Sequence, residues 1–254
     1  SGPITLDFTG KRVLVTGGTR GIGRAIVDAY AAAGATVVMN GSSDESVAAA
    51  LVDAAPGVIG IAASVADPEA CRTLIEQSIE RMGGLDVLVN NAGLQKAGPV
   101  ESVTVADWDA LMGVNARGVF LATRAAIPHL RAAGGGSIVN TSSLAAKRGG
   151  PGITAYAASK GAVMAFTTAV ALELAREGIR VNSVCPGFID TPFNNPAIAF
   201  MGGREEQARV VERMVPMGRQ AMPAEVGPLY VYLLSDESGY VTAQALSIDG
   251  GVYN

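Results

Sequence analysis

The sequence predicts an α/β protein in which helices cover both faces of a doubly wound parallel sheet of about seven strands. Two observations predict this class. Short β-branched runs alternate with longer Ala-rich stretches from one end of the chain to the other, and the short runs are apolar at nearly every position. Such strands are covered on both faces, and alternation with connections of this length indicates right-handed βαβ units.

The predicted elements follow one another without a linker or a shift in composition, so residues 4–254 are expected to form one domain. Ser1-Gly2-Pro3 is interpreted as a remnant of expression cloning. Strands are predicted at residues 12–16, 36–40, 57–62, 85–90, 136–141, 180–185 and 245–248. Helices are predicted at residues 21–34, 45–54, 68–83, 105–133, 155–178, 204–215 and 224–234.

The composition of the 254-residue chain excludes several classes of protein. Apolar residues make up 49% and charged residues 17%, which is too apolar for a disordered chain. The net charge is −4 and no apolar run is long enough to suggest a transmembrane helix, so neither a nucleic acid nor a membrane is expected as a partner. The two cysteines and the single histidine, His129, which is interpreted as structural, form no ligand pattern. We therefore expect a cytoplasmic protein without a bound metal.

The predicted helix at residues 155–178 is apolar around its circumference, because Lys160 carries the only charge before Glu173. A helix with so little polar surface is buried by its own sheet or by a second subunit. The chain is therefore expected to form a homo-oligomer, either a dimer or a tetramer. The helix at residues 105–133 carries an arginine at every seventh position, interpreted as a solvated stripe: Arg117, Arg124 and Arg131.

A glycine-rich turn joins the first predicted strand to the first predicted helix. Its glycines let the backbone turn sharply and approach a pyrophosphate closely, while the start of the helix presents free N–H groups. At this place in a doubly wound sheet, the turn predicts a dinucleotide site. The residues expected to contact the cofactor here are Gly17, Thr19, Arg20, Gly21, Ile22 and Gly23.

The second predicted strand ends without the carboxylate that would bind the ribose 2′-hydroxyl of NAD. The small polar residues Asn40, Ser42 and Ser43 leave room there for a 2′-phosphate, and Arg20 in the glycine turn can supply its counter-charge. NADP(H) is therefore favoured as the cofactor, and NAD(H) stays open as the alternative.

Tyr156 and Lys160 are four residues apart at the head of a predicted helix and therefore share one face. A phenol has a pKa of about 10, and a nearby ammonium is expected to lower that pKa towards neutrality. Ser142 and Ser143 close the fifth predicted strand, at the edge where ligands bind such sheets. Each of these residues by itself is typical of a structural position: Tyr156 of a core aromatic, Lys160 of a surface lysine and the two serines of a helix cap. Together, behind a dinucleotide turn, they predict an acid–base site.

In these segments the chain resembles the short-chain dehydrogenase/reductase family, and the resemblance covers it almost from end to end. It implies a Rossmann-type fold and is strongest towards 3-oxoacyl-carrier-protein reductases and the sugar, polyol and ketone reductases beside them. The matching segments are Thr16-Gly17-x3-Gly21-x-Gly23, Asn90-Asn91-Ala92-Gly93, Asn115, Ser143, Tyr156-x3-Lys160, Pro186-Gly187 and Asp249-Gly250-Gly251.

The resemblance implies a role for each catalytic residue. Tyr156 would exchange a proton with the substrate oxygen, and Ser143, chosen over Ser142 by its 13-residue offset from Tyr156, would orient that oxygen. Lys160 would lower the pKa of Tyr156 and bind the nicotinamide ribose. Asn115 would hold a water that links Lys160 to solvent.

Further cofactor contacts are implied along three other segments. Family members usually carry an aspartate after the third strand to bind the adenine amine, and here Ser64 and the backbone of Val65 are expected to take that place. Many NADP-preferring relatives carry a basic residue where Ser42 stands, so Arg20 would face the phosphate alone. The remaining implied contacts are Asn91, Ala92, Gly93, Pro186, Gly187, Ile189 and Thr191.

The resemblance implies hydride transfer between NAD(P)(H) and a small molecule, interconverting a secondary alcohol and a ketone. Gln95 is expected to face the substrate beside Ser143 and Tyr156. Residues 190–215, which combine Gly, Pro and large apolar side chains, are expected to form a lid or else a surface loop with its own small core. Two alternatives stay open. A 3-oxoacyl-carrier-protein reductase would need a basic docking patch, with the arginine stripe, Arg176 and Arg180 as candidates, and a catalytically silent dinucleotide-binding regulator would need no active site.

Overall fold

Seven parallel strands form one sheet in a computed structural model that describes residues 6–253. The strands are β1 (Arg12–Val15), β2 (Thr36–Gly41), β3 (Ile59–Ala62), β4 (Val87–Asn90), β5 (Gly136–Thr141), β6 (Ile179–Pro186) and β7 (Ala245–Ile248). Their order across the sheet is β3-β2-β1-β4-β5-β6-β7. The predicted fold class is confirmed. The interpretation of Ser1-Gly2-Pro3 falls outside the described residues.

Ten α-helices are described within residues 6–253, more than the seven predicted. They are α1 (Gly21–Ala32), α2 (Asp44–Leu51), α3 (Pro68–Met82), α4 (Val105–Met112), α5 (Gly118–Ala132), α6 (Leu144–Arg148), α7 (Thr154–Leu174), α8 (Asn195–Phe200), α9 (Arg204–Met214) and α10 (Pro223–Leu234). Local chemistry sets several of their ends. The side chain of Asp67 accepts a 2.7 Å hydrogen bond from Ala70 N at the start of α3, and Gly83 ends that helix with a φ of +77°.

Each central strand contributes to two hydrophobic cores, one on either face of the sheet. In β1, Val13 and Val15 belong to the core that α1 and α10 cover, whereas Leu14 between them belongs to the core beneath α3, α5 and α7. All three side chains are completely buried. Because neighbouring strand residues point to opposite faces, a strand covered on both sides must be apolar throughout.

The predicted helix at residues 105–133 is divided. α4 and α5 are separated by one wider π-helical turn, Gly113–Arg117, which has Asn115 at its centre. The Asn115 side chain is fully buried and hydrogen-bonds the chain that follows β4, so the wider turn coincides with a tertiary contact. Hydrophobic periodicity continues across such a turn, which is why the sequence predicts a single helix.

β3 and β4 each begin two residues later than predicted. Gly57 has a φ of +90° and belongs to a turn that ends before Ile59. Before β4, the Asp86 carboxylate accepts bonds of 2.7 and 2.8 Å from the Arg12 guanidinium and one of 2.8 Å from the Arg12 backbone N–H. A local turn therefore delays the start of β3, whereas a contact with a residue 74 positions away in the chain accompanies the late start of β4.

α7 carries the apolar surface noted in the sequence. With its continuation to Glu177 it is long and apolar enough to cross a membrane by length and composition, a test that core helices of soluble proteins also pass. Here one side of α7 packs against β6 and α6. Another side is open within one chain, since Leu172 is 70% exposed.

Residues 190–215 contain α9, which corresponds to the helix predicted at residues 204–215, and the shorter helix α8 before it. Gly202 and Gly203 join them with φ values of +101° and +106°, which glycine adopts readily. Ile198 and Val211 are buried, so the segment also has an apolar side of its own.

The carboxyl ends of the seven strands meet at one edge of the sheet. β1 and β4 are neighbours at its centre, although the chain continues from β1 to β2 on one side and from β4 to β5 on the other. Two chain segments that leave in opposite directions open a crevice, which is where ligands bind such sheets.

Candidate active site

A cavity of about 680 Å³ occupies this crevice. It begins at the glycine turn after β1, passes the ends of β4, β5 and β6, and ends beneath α8 and α9. Every residue predicted to contact the cofactor lines it except Ser43. Among the predicted catalytic and substrate residues, Ser143, Tyr156, Lys160 and Gln95 line it, whereas Asn115 lies behind its wall.

The glycine turn is shaped by close backbone approach. Gly17 has a φ of +61°, and a Cβ placed on it would fall 2.7 Å from Ala92 Cα. A Cβ on Gly23 would fall 2.1 Å from the Gly17 carbonyl oxygen. Arg20 is extended and directly precedes α1, and its side chain makes no capping bond. The turn therefore leaves the first N–H groups of α1 facing the cavity without a side-chain acceptor, as binding of a phosphate requires.

Thr16 and Asn91 connect the glycine turn to the end of β4. The Thr16 hydroxyl accepts bonds from Asn91 N at 3.0 Å and Ala92 N at 3.1 Å. The Asn91 amide donates to the carbonyls of Thr16 at 3.2 Å and Gly17 at 3.0 Å. The glycine turn after β1 and the chain after β4, which border the crevice, are therefore held at a fixed separation. The sequence analysis included Thr16 in the matching glycine segment but predicted no role for its side chain.

At the end of β2, the side chains of two predicted contact residues are engaged with backbone. The Asn40 amide donates to the backbone carbonyls of Gly41, Ile61 and Ala63, and its Oδ1 accepts from Gly17 N at 3.4 Å. The Ser43 hydroxyl accepts from Ser46 N at 3.2 Å as the N-cap of α2. Both side chains are occupied by backbone, so they shape this end of the cavity rather than offering free groups to a cofactor.

Arg20, Ser42, Ser64 and Val65 line the same end of the cavity. The Arg20 guanidinium is exposed and has no ion-pair or hydrogen-bond partner among residues 6–253. No carboxylate lines this end, in agreement with the sequence. A cation with nothing to neutralise it is the feature that a phosphate contact requires.

Tyr156 and Lys160 occupy the first two turns of α7, beside the end of β5. Both are nearly buried, at 7% and 2% exposure. The Lys160 ammonium donates a 2.7 Å bond to the Thr141 carbonyl, and the Ser142 hydroxyl donates a 2.8 Å bond to the Lys160 carbonyl. Ser142 is therefore committed to backbone, whereas Ser143 lies next to the Tyr156 hydroxyl. Ser143 also accepts from Ala145 N at 3.1 Å as the N-cap of α6.

Burial dominates the protonation of this pair. It raises the pKa of Tyr156 to about 12, and the neighbouring Ser143 side chain acts in the opposite direction. Burial also lowers the pKa of Lys160 to about 8. The expected lowering of the Tyr156 pKa by Lys160 is not seen, because burial of the phenol has the largest effect on that pKa and the ammonium is turned to the Thr141 carbonyl. At neutral pH the phenol is protonated.

Asn115 holds the backbone that follows β4. Its Oδ1 accepts from Leu94 N at 2.7 Å, and its Nδ2 donates to Leu94 O and to the Ser159 hydroxyl, both at 2.9 Å. Ser159 in turn donates to the Tyr156 carbonyl at 2.7 Å. A water held by Asn115 remains a prediction, and the side chain itself links the turn before Gln95 to α7.

The nicotinamide end of the predicted site lies after β6. Gly187 packs so closely on Asp249 that a Cβ would fall 2.6 Å from its Cβ. Thr191 is buried, and Phe193 packs its ring 6.1 Å from that of Tyr156. The segment at residues 190–215 therefore reaches the tyrosine directly.

Gln95 has an unusual environment. Its Oε1 is the one buried side-chain N or O atom without a hydrogen-bond partner in the described part of the chain. The residue lines the cavity next to Leu94, whose backbone Asn115 holds. A buried acceptor without a donor costs free energy, so its position at a cavity wall suits a donor on a ligand.

The structure also brings residues to the site that the sequence did not indicate. Thr141 supplies the carbonyl that holds Lys160, and Phe193, Arg148 and Arg213 are among the residues that line the cavity. No local pattern could single them out, because their position depends on how the segments after β5 and β6 fold over the sheet edge.

Comparison with known proteins agrees with this geometry. The family model described as "Enoyl-(Acyl carrier protein) reductase" matches residues 17–253. The 3-oxoacyl-(acyl-carrier-protein) reductase FabG of Thermotoga maritima is 39% identical, covering 97% of this chain and 99% of that protein. The 3-alpha-(or 20-beta)-hydroxysteroid dehydrogenase of Mycobacterium tuberculosis is 40% identical, covering 95% and 89%. A short-chain type dehydrogenase/reductase from Mycobacterium marinum superposes with a TM-score of 0.89 at 32% identity, covering 98% and 97%.

Proposed function

Because the chain belongs to the short-chain dehydrogenase/reductase family and is an alcohol/ketone oxidoreductase of that family, we propose that Tyr156 is its catalytic acid and base. Ser143 hydrogen-bonds the reacting oxygen, and Lys160 binds the nicotinamide ribose. The observation that carries this proposal is the meeting of these three side chains in one cavity that starts at the glycine turn.

The residues present fit a nicotinamide dinucleotide. The turn at residues 17–23 leaves free N–H groups of α1 at one end of the cavity, and Lys160 lies further along it, beside the end of β5. The proposed contacts between them are Thr19, Ile22, Ser42, Ser64, Val65, Asn91, Ala92, Gly93, Pro186, Gly187, Ile189 and Thr191. When bound, the nicotinamide supplies the hydride in reduction and accepts it in oxidation.

The chain itself manages the proton. In ketone reduction the buried Tyr156 hydroxyl gives its proton to the substrate oxygen, and Ser143 donates a hydrogen bond to that oxygen as it gains negative charge. Tyr156 is left as a phenolate, which the Lys160 ammonium stabilises until solvent reprotonates it. In alcohol oxidation the phenolate removes the hydroxyl proton instead.

We propose NADP(H) as the preferred cofactor. The unpartnered Arg20 and the absence of carboxylates at the adenosine end of the cavity support this preference over NAD(H). Residues 190–215 are proposed as the lid: Phe193 already contacts Tyr156, and closure of this segment would keep water from the reacting atoms.

Following nicotinamide absorbance across a panel of ketones and alcohols, with NADPH and NADH in parallel, tests the activity directly. We expect turnover in the wild type and its loss in Tyr156→Phe. Turnover that survives this substitution at wild-type rate would remove Tyr156 from the proposed role.

A 3-oxoacyl-carrier-protein reductase is a second candidate, favoured by the similarity to FabG. The arginines expected to dock a carrier protein are mostly engaged. Arg180 is half-buried and donates to the carbonyls of Leu233, Ser235 and Val241, and Arg131 pairs with Glu177. This weakens the carrier-protein alternative relative to a small-molecule substrate.

We further propose a cytoplasmic homo-oligomer. The open side of α7, with Leu172 exposed, and Phe120 of α5, 42% exposed, give apolar surface that a second subunit can cover. Size-exclusion chromatography with light scattering is expected to give a dimer or a tetramer, and a monomer at micromolar concentration would contradict the proposal.

A further inference from the structure

The charges around the cavity are one-sided. The lining residues include Arg20, Arg148, Lys160 and Arg213 but no aspartate or glutamate, although the chain as a whole has a net charge of −4. A concave surface lined by one sign of charge concentrates ligands of the opposite sign. Arg20 and Lys160 are already proposed to face the cofactor, which leaves Arg148 and Arg213 unexplained.

Most arginines in residues 6–253 have a partner. Arg148 and Arg213, by contrast, have no ion pair, hydrogen bond or aromatic ring against them, a condition shared only by Arg20 and Arg176 among the described arginines. Three of these four unpartnered arginines line the same cavity.

The sequence around the two arginines accounts for their isolation. A helical arginine is usually neutralised by a carboxylate three or four positions away, as Glu206 neutralises Arg209 within α9. Arg213 has Arg209 and Val210 at those positions before it, and Arg148 has Leu144 and Ala145. Neither arginine therefore has an acidic residue three or four positions before it on its own helix.

The two arginines lie on segments that contact each other over the substrate end of the cavity. Arg148 ends α6, whose N-cap is Ser143, and the loop after it reaches Gly152, where a Cβ would fall 2.2 Å from the Phe200 ring of α8. Arg213 lies in the last turn of α9, the next helix of the lid. The walls nearby are otherwise apolar: Leu144, Ile153, Phe193, Phe200, Met201 and Met214.

We propose that the substrate is an oxo-acid or hydroxy-acid with an apolar skeleton, whose anionic group is bound by Arg148 and Arg213. This rests on the proposed oxidoreductase function and adds the substrate class. The apolar walls hold the skeleton, Ser143 and Tyr156 hold the reacting oxygen, and the two guanidinium groups bind the carboxylate or a comparable anion through charge-assisted hydrogen bonds.

The test compares 4-oxocyclohexanecarboxylate with its methyl ester, which keeps the ketone and the ring but lacks the charge. We expect kcat/KM to be about tenfold or more higher for the acid, mainly through KM, and this advantage to shrink as salt is raised. Arg148→Gln and Arg213→Gln should each remove most of the advantage while leaving the ester unaffected. Arg209→Gln, in the same helix but paired with Glu206, is the matched control.

Calorimetric titration of the enzyme–NADPH complex with cyclohexanecarboxylate gives a second readout that requires no turnover. The acid should bind the wild type and the Arg209→Gln control at least about tenfold more tightly than either cavity variant, and cyclohexanecarboxamide should not discriminate among them.

Equal kcat/KM for acid and ester in the wild type, or equal binding of the acid by all variants, overturns the substrate class while the oxidoreductase function stands. If the arginine variants instead raise KM for NADPH with both ketones, the arginines bind the cofactor and the inference is wrong. Absence of Tyr156-dependent turnover with every ketone tried would instead overturn the proposed function.

Discussion

The Lys160 ammonium and the Thr141 carbonyl are joined by a hydrogen bond of 2.7 Å. The Thr141 hydroxyl in turn lies 2.7 Å from the Tyr230 hydroxyl of α10, with both side chains buried. The Ser142 hydroxyl ties the Lys160 carbonyl to the same strand end. Lys160 is therefore held to β5 at its side chain and its backbone, which keeps a buried cation at a defined place beside Tyr156.

Tyr156→Phe removes one hydroxyl and should lower kcat by about 10²–10⁴-fold, because the proton that it exchanges has no other donor of similar position. Cofactor affinity, measured by fluorescence titration with NADPH, should change little. Ser143→Ala is expected to lower kcat as well. A Tyr156→Phe variant that loses NADPH affinity instead of turnover would show that the phenol binds the cofactor only.

Burial of Lys160 makes stability depend on pH. Its pKa is about 8 in the folded chain against 10.5 ordinarily, so between these values the unfolded chain binds more protons and folding is favoured as pH rises. The stability cost of the buried charge is fully present below pH 8. Relative to Lys160→Met, the wild type should gain up to about 3 kcal/mol across this range, as measured by urea unfolding. If the difference in the free energy of unfolding between the two proteins stays constant from pH 7 to 10.5, Lys160 is not buried as described.

Arg20→Ala should raise KM for NADPH about tenfold or more and leave KM for NADH nearly unchanged, because only the former carries the 2′-phosphate. Steady-state kinetics with both cofactors measures the effect. Arg176→Ala, an exposed arginine outside the cavity, is the control and should alter neither value. Equal increases in KM for NADPH and NADH would show that Arg20 contacts a part of the cofactor other than the 2′-phosphate.

Asn115→Ala should destabilise the protein by about 2–4 kcal/mol, because it leaves the Leu94 N–H and carbonyl and the Ser159 hydroxyl without their partner. Ser159→Ala breaks only one of these bonds and should cost about 1 kcal/mol. Chemical denaturation of both variants distinguishes the two. If both substitutions lower the free energy of unfolding equally, the hydrogen bonds from Asn115 to Leu94 contribute no stability.

Gln95→Met should keep or slightly raise the melting temperature while raising KM for the substrate. The reason is that Gln95 Oε1 is buried without a donor, so replacing it with an apolar side chain of similar size removes an uncompensated acceptor. Thermal unfolding and steady-state kinetics, run side by side, measure both effects. A lower melting temperature with unchanged KM would make Gln95 a structural residue.

The strand and helix series could be predicted from the sequence because each signal is local. Continuous apolar runs such as residues 13–15 of β1 are needed wherever both faces of a strand are covered, and the glycine turn needs at Gly17 a conformation that residues with a Cβ rarely adopt. Two of the predictions that failed also have a physical explanation. The π-helical turn at Asn115 and the late start of β4 at Val87 depend on partners that are 21 and 74 residues away in the chain.

The amino-acid sequence by itself determines the order of the elements along the chain, the crevice at the carboxyl ends of the strands and the residue types that face it. These features depend on periodicity and turn chemistry, which are short-range. Only the folded chain decided what each side chain there is free to do. Asn40 and Ser43 are occupied by backbone and the Tyr156 pKa rises, whereas Arg148 and Arg213 stand without counter-charges at the cavity wall. Burial and pairing are set by atoms far apart along the chain, and these long-range contacts convert a plausible residue type into an available chemical group.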